Sequence, residues 1–173
     1  MDVVQPVAQT ILSFLKSLGK QRGLENLVAT VSYHEPFVQH LLAIEDAKQS
    51  KPYAWQIRVT AYEKFFEKVK LLFEKRLKES TFCGLTETVN FNFYRYTVQI
   101  AFENGLAADI KRLETNEDRS IRFNPLVFVQ LLLGCRSREE LERIYPDCIV
   151  RPSHRHLVDV LFPKLPSYIH TEY

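Results

Sequence analysis

Histidines and cysteines are the side chains with which this sequence could hold a metal ion or attack a carbonyl group. His154 and His156 lie two residues apart, a spacing that directs them to different faces of a helix. The three cysteines, Cys83, Cys135 and Cys148, are widely separated. A zinc site needs three or four convergent ligands, so we expect no metal site. Because the neighbours of the cysteines are largely apolar, we expect buried, reduced thiols.

The motifs of nucleophilic catalysis and of nucleotide binding are missing from the sequence. No serine lies in a GxSxG pattern, and the five glycines stand singly, so neither GxGxxG nor the Walker pattern occurs. Cys135 follows the end of a predicted helix, where the negative end of the helix dipole disfavours a thiolate. The sequence therefore predicts no catalytic serine or cysteine.

The remaining chemistry is apolar and depends on aromatic side chains. In the predicted strands 89–93 and 98–102, apolar residues alternate with others, which makes one face of a sheet apolar. These side chains would form an ordinary filled core or line a cavity for an apolar ligand. The candidate pocket residues are Phe66, Phe73, Phe91, Phe93, Ile100 and Phe102.

The elements that must position these side chains follow from hydrophobic periodicity. Helices are predicted at residues 7–18, 36–42, 60–77, 124–133, 137–144 and 154–161, and strands at 27–31, 53–59, 89–93, 97–102, 106–113, 121–123 and 168–173. Thr60 and Glu63 have the spacing of a capping box at the start of the longest helix. Ser137 and Glu140 have the same spacing.

Turn residues indicate how the strands pair. Asn104 and Gly105 both tolerate positive φ, so they predict a tight hairpin between the strands on either side. The strands from residue 89 to residue 113 would then form an antiparallel meander. We expect an α+β fold, in which helices cover an antiparallel sheet.

Charge and hydropathy exclude several classes of partner. The 23 basic and 21 acidic residues give a net charge of +2 and are mixed along the chain, so we expect no nucleic-acid partner. No apolar run approaches the ~20 residues that span a bilayer, and the first residues do not resemble a signal peptide. We expect a cytoplasmic protein without a membrane span. An uncovered sheet edge would let it form a homo-oligomer.

Three separated segments resemble the C-terminal region of certain acetyltransferases. They are PYAWQIRV at residues 52–59, NPLVFVQLLLGCRSREELE at 124–142 and LVDVLFPKLPSY at 157–168. The chain is similar in these segments to GNAT-superfamily N-acetyltransferases of the enhanced-intracellular-survival type. In that family a sterol-carrier-like domain follows two acetyltransferase units. The resemblance implies that residues 1–51 are the C-terminal piece of an acetyltransferase α/β unit and that residues 52–173 are a sterol-carrier-like domain.

The resemblance also implies that the full-length relatives bind acetyl-CoA and that this chain does not bind it alone. The superfamily binds the pyrophosphate of acetyl-CoA with a Q/RxxGxG/A loop, and this chain lacks that pattern. Gln21, Arg22 and Gly23 match only part of it. We therefore expect no cofactor in this chain, whereas its full-length relatives use acetyl-CoA. On its own it would be inactive as an acetyltransferase and would shape the pocket of the acceptor amine.

The family's general base is the terminal carboxylate of the chain, and the matching group here is the α-carboxylate of Tyr173. Such a carboxylate is ionised at neutral pH, as a base must be.

An alternative function needs no acetyl donor. In that alternative the chain is a stand-alone sterol-carrier-like module that binds a lipid or another apolar small molecule.

Overall fold

The structure is a computed structural model that describes residues 4–29, 38, 40, 43, 47, 48, 56–115 and 117–167. The chain divides into two compact units, one of residues 1–54 and 170–173 and the other of residues 55–169. In the first unit, helix α1 (Val4–Gln21) confirms the predicted helix at residues 7–18 and extends it at both ends. Val7, Ile11 and Phe14, on one face of α1, are exposed by 51%, 44% and 66%.

The predicted strand at residues 27–31 is not formed in its described part, residues 27–29. Its β-branched residues favour an extended backbone, but a strand also needs a neighbour to pair with. Val28 is instead 87% exposed. Similarly, residues 56–59 of the predicted strand 53–59 are not in a strand. The rest of both segments, most of the predicted helix 36–42 and the predicted strand 168–173 lie outside the described residues.

The second unit begins with its longest helix, α2 (Tyr62–Lys78). Its apolar residues recur at spacings of three and four, so one stripe of the helix faces the core. Tyr62, Phe66, Phe73 and Leu77 are buried on that stripe. The capping box predicted for Thr60 and Glu63 is wrong, because the helix begins one residue later. Its N-cap is Ala61, which makes no side-chain capping bond.

Five strands form one sheet with the order β3-β2-β1-β4-β5. They are β1 (Glu87–Asn92), β2 (Thr97–Glu103), β3 (Leu106–Leu113), β4 (Ile121–Arg122) and β5 (Ile149–Val150). β1, β2 and β3 form the predicted antiparallel meander. β4 pairs in parallel with β1, and β5 pairs antiparallel with β4. The sheet is therefore mixed and mostly antiparallel.

The predicted hairpin is confirmed between β2 and β3. Asn104 has φ 51° and Gly105 has φ 80°, as a tight hairpin turn requires. The register then shifts between Ala101 and Phe102, where β3 contains one extra residue, Ala108. This bulge changes which backbone groups of β3 face away from β2.

Three short helices complete the second unit: α3 (Pro125–Leu132), α4 (Arg138–Ile144) and α5 (Pro152–Leu161). The side chain of Asn124 caps α3 by accepting from the N–H of Leu126 at 2.9 Å. The capping box of Ser137 and Glu140 is confirmed at α4. Together these elements form the predicted α+β fold. No helix of the described residues is long and apolar enough to cross a membrane.

Candidate functional site: the C-terminal clamp

The last described residues are fixed against the helices by three sets of contacts. They join Gly134, Arg138 and Glu140 to Leu165, Asp159 and Lys164, and we call these six residues the C-terminal clamp. The clamp connects two of the segments that carry the family resemblance, residues 124–142 and 157–168. Its contacts fix the chain as far as Leu165.

Gly134 gives the clamp its closest backbone contact. The residue has φ 71°, a left-handed conformation that favours glycine. Its carbonyl accepts a hydrogen bond from the N–H of Leu165 at 3.0 Å. A Cβ atom at Gly134 would lie only 2.8 Å from Cβ of Leu165. Only glycine therefore satisfies both the backbone conformation and the close approach of the C-terminal segment.

Glu140 connects the start of α4 to the C-terminal segment. One carboxylate oxygen accepts from the N–H of Ser137 at 2.8 Å, and the other accepts from Lys164 Nζ at 2.6 Å. Hydrogen bonds from Lys164 and from the Ser137 backbone lower the pKa of Glu140 to about 2. The capping bond and the tail contact therefore depend on the same ionised carboxylate.

Arg138 joins α4 to α5. Its guanidinium donates to both carboxylate oxygens of Asp159, each at 2.9 Å. It also donates to Glu142 on the next turn of α4. The Arg138 side chain is only 11% exposed. A bidentate ion pair in this environment fixes the relative position of two helices better than an exposed pair would.

The six candidate pocket residues lie together in the core, exposed by 0–2%. The ring of Phe162 lies against three of them, Phe66, Phe73 and Phe91, with centroid distances of 5.4–6.0 Å. Phe128 lies against Phe93 at 5.1 Å. The rings of Phe128 and Phe162, one from each clamp segment, thus cover the apolar sheet face. That these residues line a ligand pocket stays a prediction.

The opposite face of the sheet carries a polar network. Asn90 donates to the Asp118 carboxylate at 2.9 Å, and Gln99 donates to the side-chain oxygen of Asn90 at 2.9 Å. Asp118 also accepts from the N–H of Ser120 at 2.8 Å. These hydrogen bonds from Asn90 and Ser120 lower the pKa of Asp118 against the opposing effect of burial. The network holds the segment between β3 and β4 against the sheet.

His154 and His156 connect α5 with the start of β1 and with the turn that follows α2. His154 Nε2 lies 3.4 Å from the Glu87 carboxylate, and its Nδ1 lies 3.0 Å from Ser153 Oγ. His156 Nε2 lies 3.3 Å from the hydroxyl of Thr81. In the part of the chain that the structure describes, no three His, Cys, Asp or Glu side chains could together hold a metal ion.

The cysteines only partly match the prediction. Cys148 is buried, and burial raises the pKa of its thiol to about 11. Cys83 and Cys135 are exposed, so the prediction of buried thiols is wrong for both. Both lie in turns after helices, where the nearby Phe82, Leu85 and Leu133 are partly buried against the core while the thiols are exposed.

Tyr173, the predicted base, lies outside the described residues. The clamp itself was not predicted from the sequence. Arg138 and Asp159 are 21 residues apart, and Glu140 and Lys164 are 24 apart. The confirmed capping box at Ser137 and Glu140 is a local signal that marked part of it. Comparison with models of protein families, with curated proteins and with solved structures found no match to this chain.

Proposed function

We propose that this chain forms the C-terminal portion of a GNAT-superfamily N-acetyltransferase and shapes the pocket for the acceptor amine. It supplies no phosphate loop for acetyl-CoA, so it is inactive as an isolated chain. The α-carboxylate of Tyr173 accepts the proton that the acceptor amine loses. The acetyl donor is bound by an acetyltransferase unit that carries the loop.

The observation that carries this proposal is the C-terminal clamp. Two of the three segments that resemble the acetyltransferase family pack directly on each other through the clamp residues. Their contacts hold the chain at Lys164 and Leu165, close to its last residues. The eight residues that follow, 166–173, can span at most about 26–29 Å. A carboxylate that must reach a neighbouring site needs such a fixed starting point.

The reading frame that contains this chain provides the first part of the test. We expect an in-frame segment before Met1 that contains the Q/RxxGxG/A loop. A protein expressed with that segment is expected to transfer acetyl groups from acetyl-CoA to amines. A reading frame without such a loop would remove the basis of the proposal.

Deletion of Tyr173 from this longer protein tests the general base. We expect the deletion to lower kcat by roughly 10²–10⁴-fold, the usual contribution of a general base. The matched control is Tyr173→Phe, which keeps a terminal carboxylate at the same position and is expected to keep kcat. The shortened chain still ends in a carboxylate, that of Glu172, one residue away. An unchanged kcat after the deletion would therefore show that the base need not lie at position 173.

A second candidate function is a stand-alone sterol-carrier-like module for a lipid or another apolar small molecule. The observation that favours it is the continuous apolar layer formed by the six candidate pocket residues. A ligand in this layer would have to displace the ring of Phe128 or Phe162, because these rings lie against the sheet.

Native mass spectrometry distinguishes this second function from the first. A carrier is expected to show an additional bound mass after purification, and Phe162→Ala is expected to increase its occupancy by opening space beside Phe91. An unliganded mass for both the natural chain and the variant would eliminate the carrier function.

A further inference from the structure

β3 forms one edge of the described sheet. The only described strand that pairs with it is β2. Ala108, Asp109, Lys111 and Arg112 on this strand are all exposed. An edge strand of this kind presents backbone N–H and C=O groups that can pair with a further strand.

The register shows which backbone groups of β3 face the open side. Ala107 directs its N–H away from β2, since it donates to the carboxylate of Glu74 at 3.1 Å. In an antiparallel ladder such outward groups recur at alternate residues. The bulge adds Ala108 to the strand, so the outward series continues at Ile110 and Arg112. The outward backbone groups from Ala108 onward can therefore pair with another strand. Before Ala108, the outward N–H of Ala107 is already bonded to Glu74.

The charges of this stretch are self-complementary. Asp109 and Lys111 lie on either side of Ile110, and their side chains, 58% and 51% exposed, form an ion pair at 3.5 Å within one copy. If a second β3 pairs antiparallel with Ile110 opposite Ile110, each Asp109 faces the Lys111 of the other copy. Opposite charges in such cross-strand positions stabilise a sheet. An in-register parallel arrangement would instead place like charges beside each other, which disfavours it.

We propose that two copies of this chain associate through β3, in antiparallel orientation about a two-fold axis at Ile110. The two five-stranded sheets then become one continuous sheet across the dimer. A two-fold interface requires one surface that is complementary to itself. The Asp109 and Lys111 positions meet this requirement, and each dimer contains the charge pair twice.

Analytical ultracentrifugation of charge-exchanged variants tests this interface. The natural chain is expected to show a concentration-dependent equilibrium between monomer and dimer. Asp109→Lys and Lys111→Asp each place like charges opposite one another twice per dimer. Each is expected to raise the dissociation constant about tenfold or more. The double variant, with the two charges exchanged, restores both pairs and is expected to return the dissociation constant to its original range.

Glu67→Lys is the matched control. It makes the same change of charge as Asp109→Lys at a half-exposed position of α2, and it is expected to leave dimer formation unchanged. Circular dichroism of the variants checks that all of them fold. A natural chain that stays monomeric up to the highest soluble concentration would overturn the proposal. Single variants that dimerise normally, or a double variant that is not restored, would overturn it as well.

Discussion

At the scale of single residues, the C-terminal clamp depends on Gly134 and Glu140. Gly134 permits a close backbone contact that no other residue allows, and Glu140 holds Ser137 and Lys164 with one carboxylate. Neither residue was selected from the sequence as a site. Each makes a contact whose loss can be measured separately.

Gly134→Ala is expected to destabilise the second unit in two ways. A non-glycine residue in the left-handed region costs about 1–2 kcal/mol. The added Cβ would also lie 2.8 Å from Leu165, and such overpacking costs a further ~1–3 kcal/mol. Urea denaturation measures the sum. Gly84→Ala is the control, because Gly84 also has positive φ but its Cβ would meet only ordinary contact at 3.4 Å. Equal losses for the two variants would contradict the close approach at Gly134.

The lowered pKa of Glu140 predicts that the free energy of unfolding depends on pH. Its pKa is about 2 in the folded chain, compared with an ordinary value of 4.5. Ionised Glu140 therefore stabilises the fold fully above pH 4.5, and this contribution is lost as the pH falls through about 2. The free energy of unfolding of Glu140→Gln, compared with the natural chain over this range, measures the effect.

We expect the natural chain to be the more stable one above pH 4.5, and we expect the difference to disappear toward pH 2. Glu139→Gln is the control on the same turn of α4, since the Glu139 carboxylate pairs with the exposed Arg143. A stability difference for Glu140→Gln that does not change with pH would show that the ionised carboxylate is not what holds Lys164.

At the scale of elements, some boundaries could be predicted from local sequence and others could not. Asn104-Gly105 and the box of Ser137 and Glu140 were predicted correctly, because a hairpin turn and a helix cap are decided by a few adjacent residues. Thr60 and Glu63 have the same spacing as a capping box, yet α2 begins later. Tyr62 stacks on Phe93 at 4.5 Å and donates its hydroxyl hydrogen bond to the Pro125 carbonyl, and these tertiary contacts fix the start of the helix.

Local sequence patterns could not predict the pairing of strands that are distant along the chain. β5 contains two residues, Ile149 and Val150, too few to show an alternation. The parallel pairing of β4 with β1 likewise depends on where the chain returns after β3. The candidate pocket residues were recognised as one apolar group, but the two rings that cover them, Phe128 and Phe162, come from separate helical segments.

A substitution of Arg138 tests what holds α4 against α5. Arg138→Met keeps most of the apolar stem but removes the bidentate contact between α4 and α5. We expect a loss of about 2–3 kcal/mol, because the charged hydrogen bonds of the nearly buried Arg138 side chain are lost. Urea denaturation measures the change. Arg143→Met, which removes an exposed pair with Glu139, is expected to cost no more than ~0.5 kcal/mol. Similar losses for both would mean that Arg138 does not join the helices.

At the scale of the whole molecule, the second unit is an α+β fold in which the rings of Phe128 and Phe162 pack against the apolar sheet face. The α+β class could be predicted because helical and strand periodicities are distinct along the chain. The proposed acetyltransferase function depends on the three segments and on the clamp that joins two of them. We propose that this chain shapes the acceptor side of the reaction, and we expect it to have no acetyl-CoA site of its own.

Isothermal titration calorimetry of the isolated chain with acetyl-CoA tests that claim most directly. We expect no saturable binding, because the sequence lacks the Q/RxxGxG/A pattern whose backbone N–H groups hold the pyrophosphate. Tight binding of one acetyl-CoA molecule per chain would contradict it and would show that the chain carries a complete donor site.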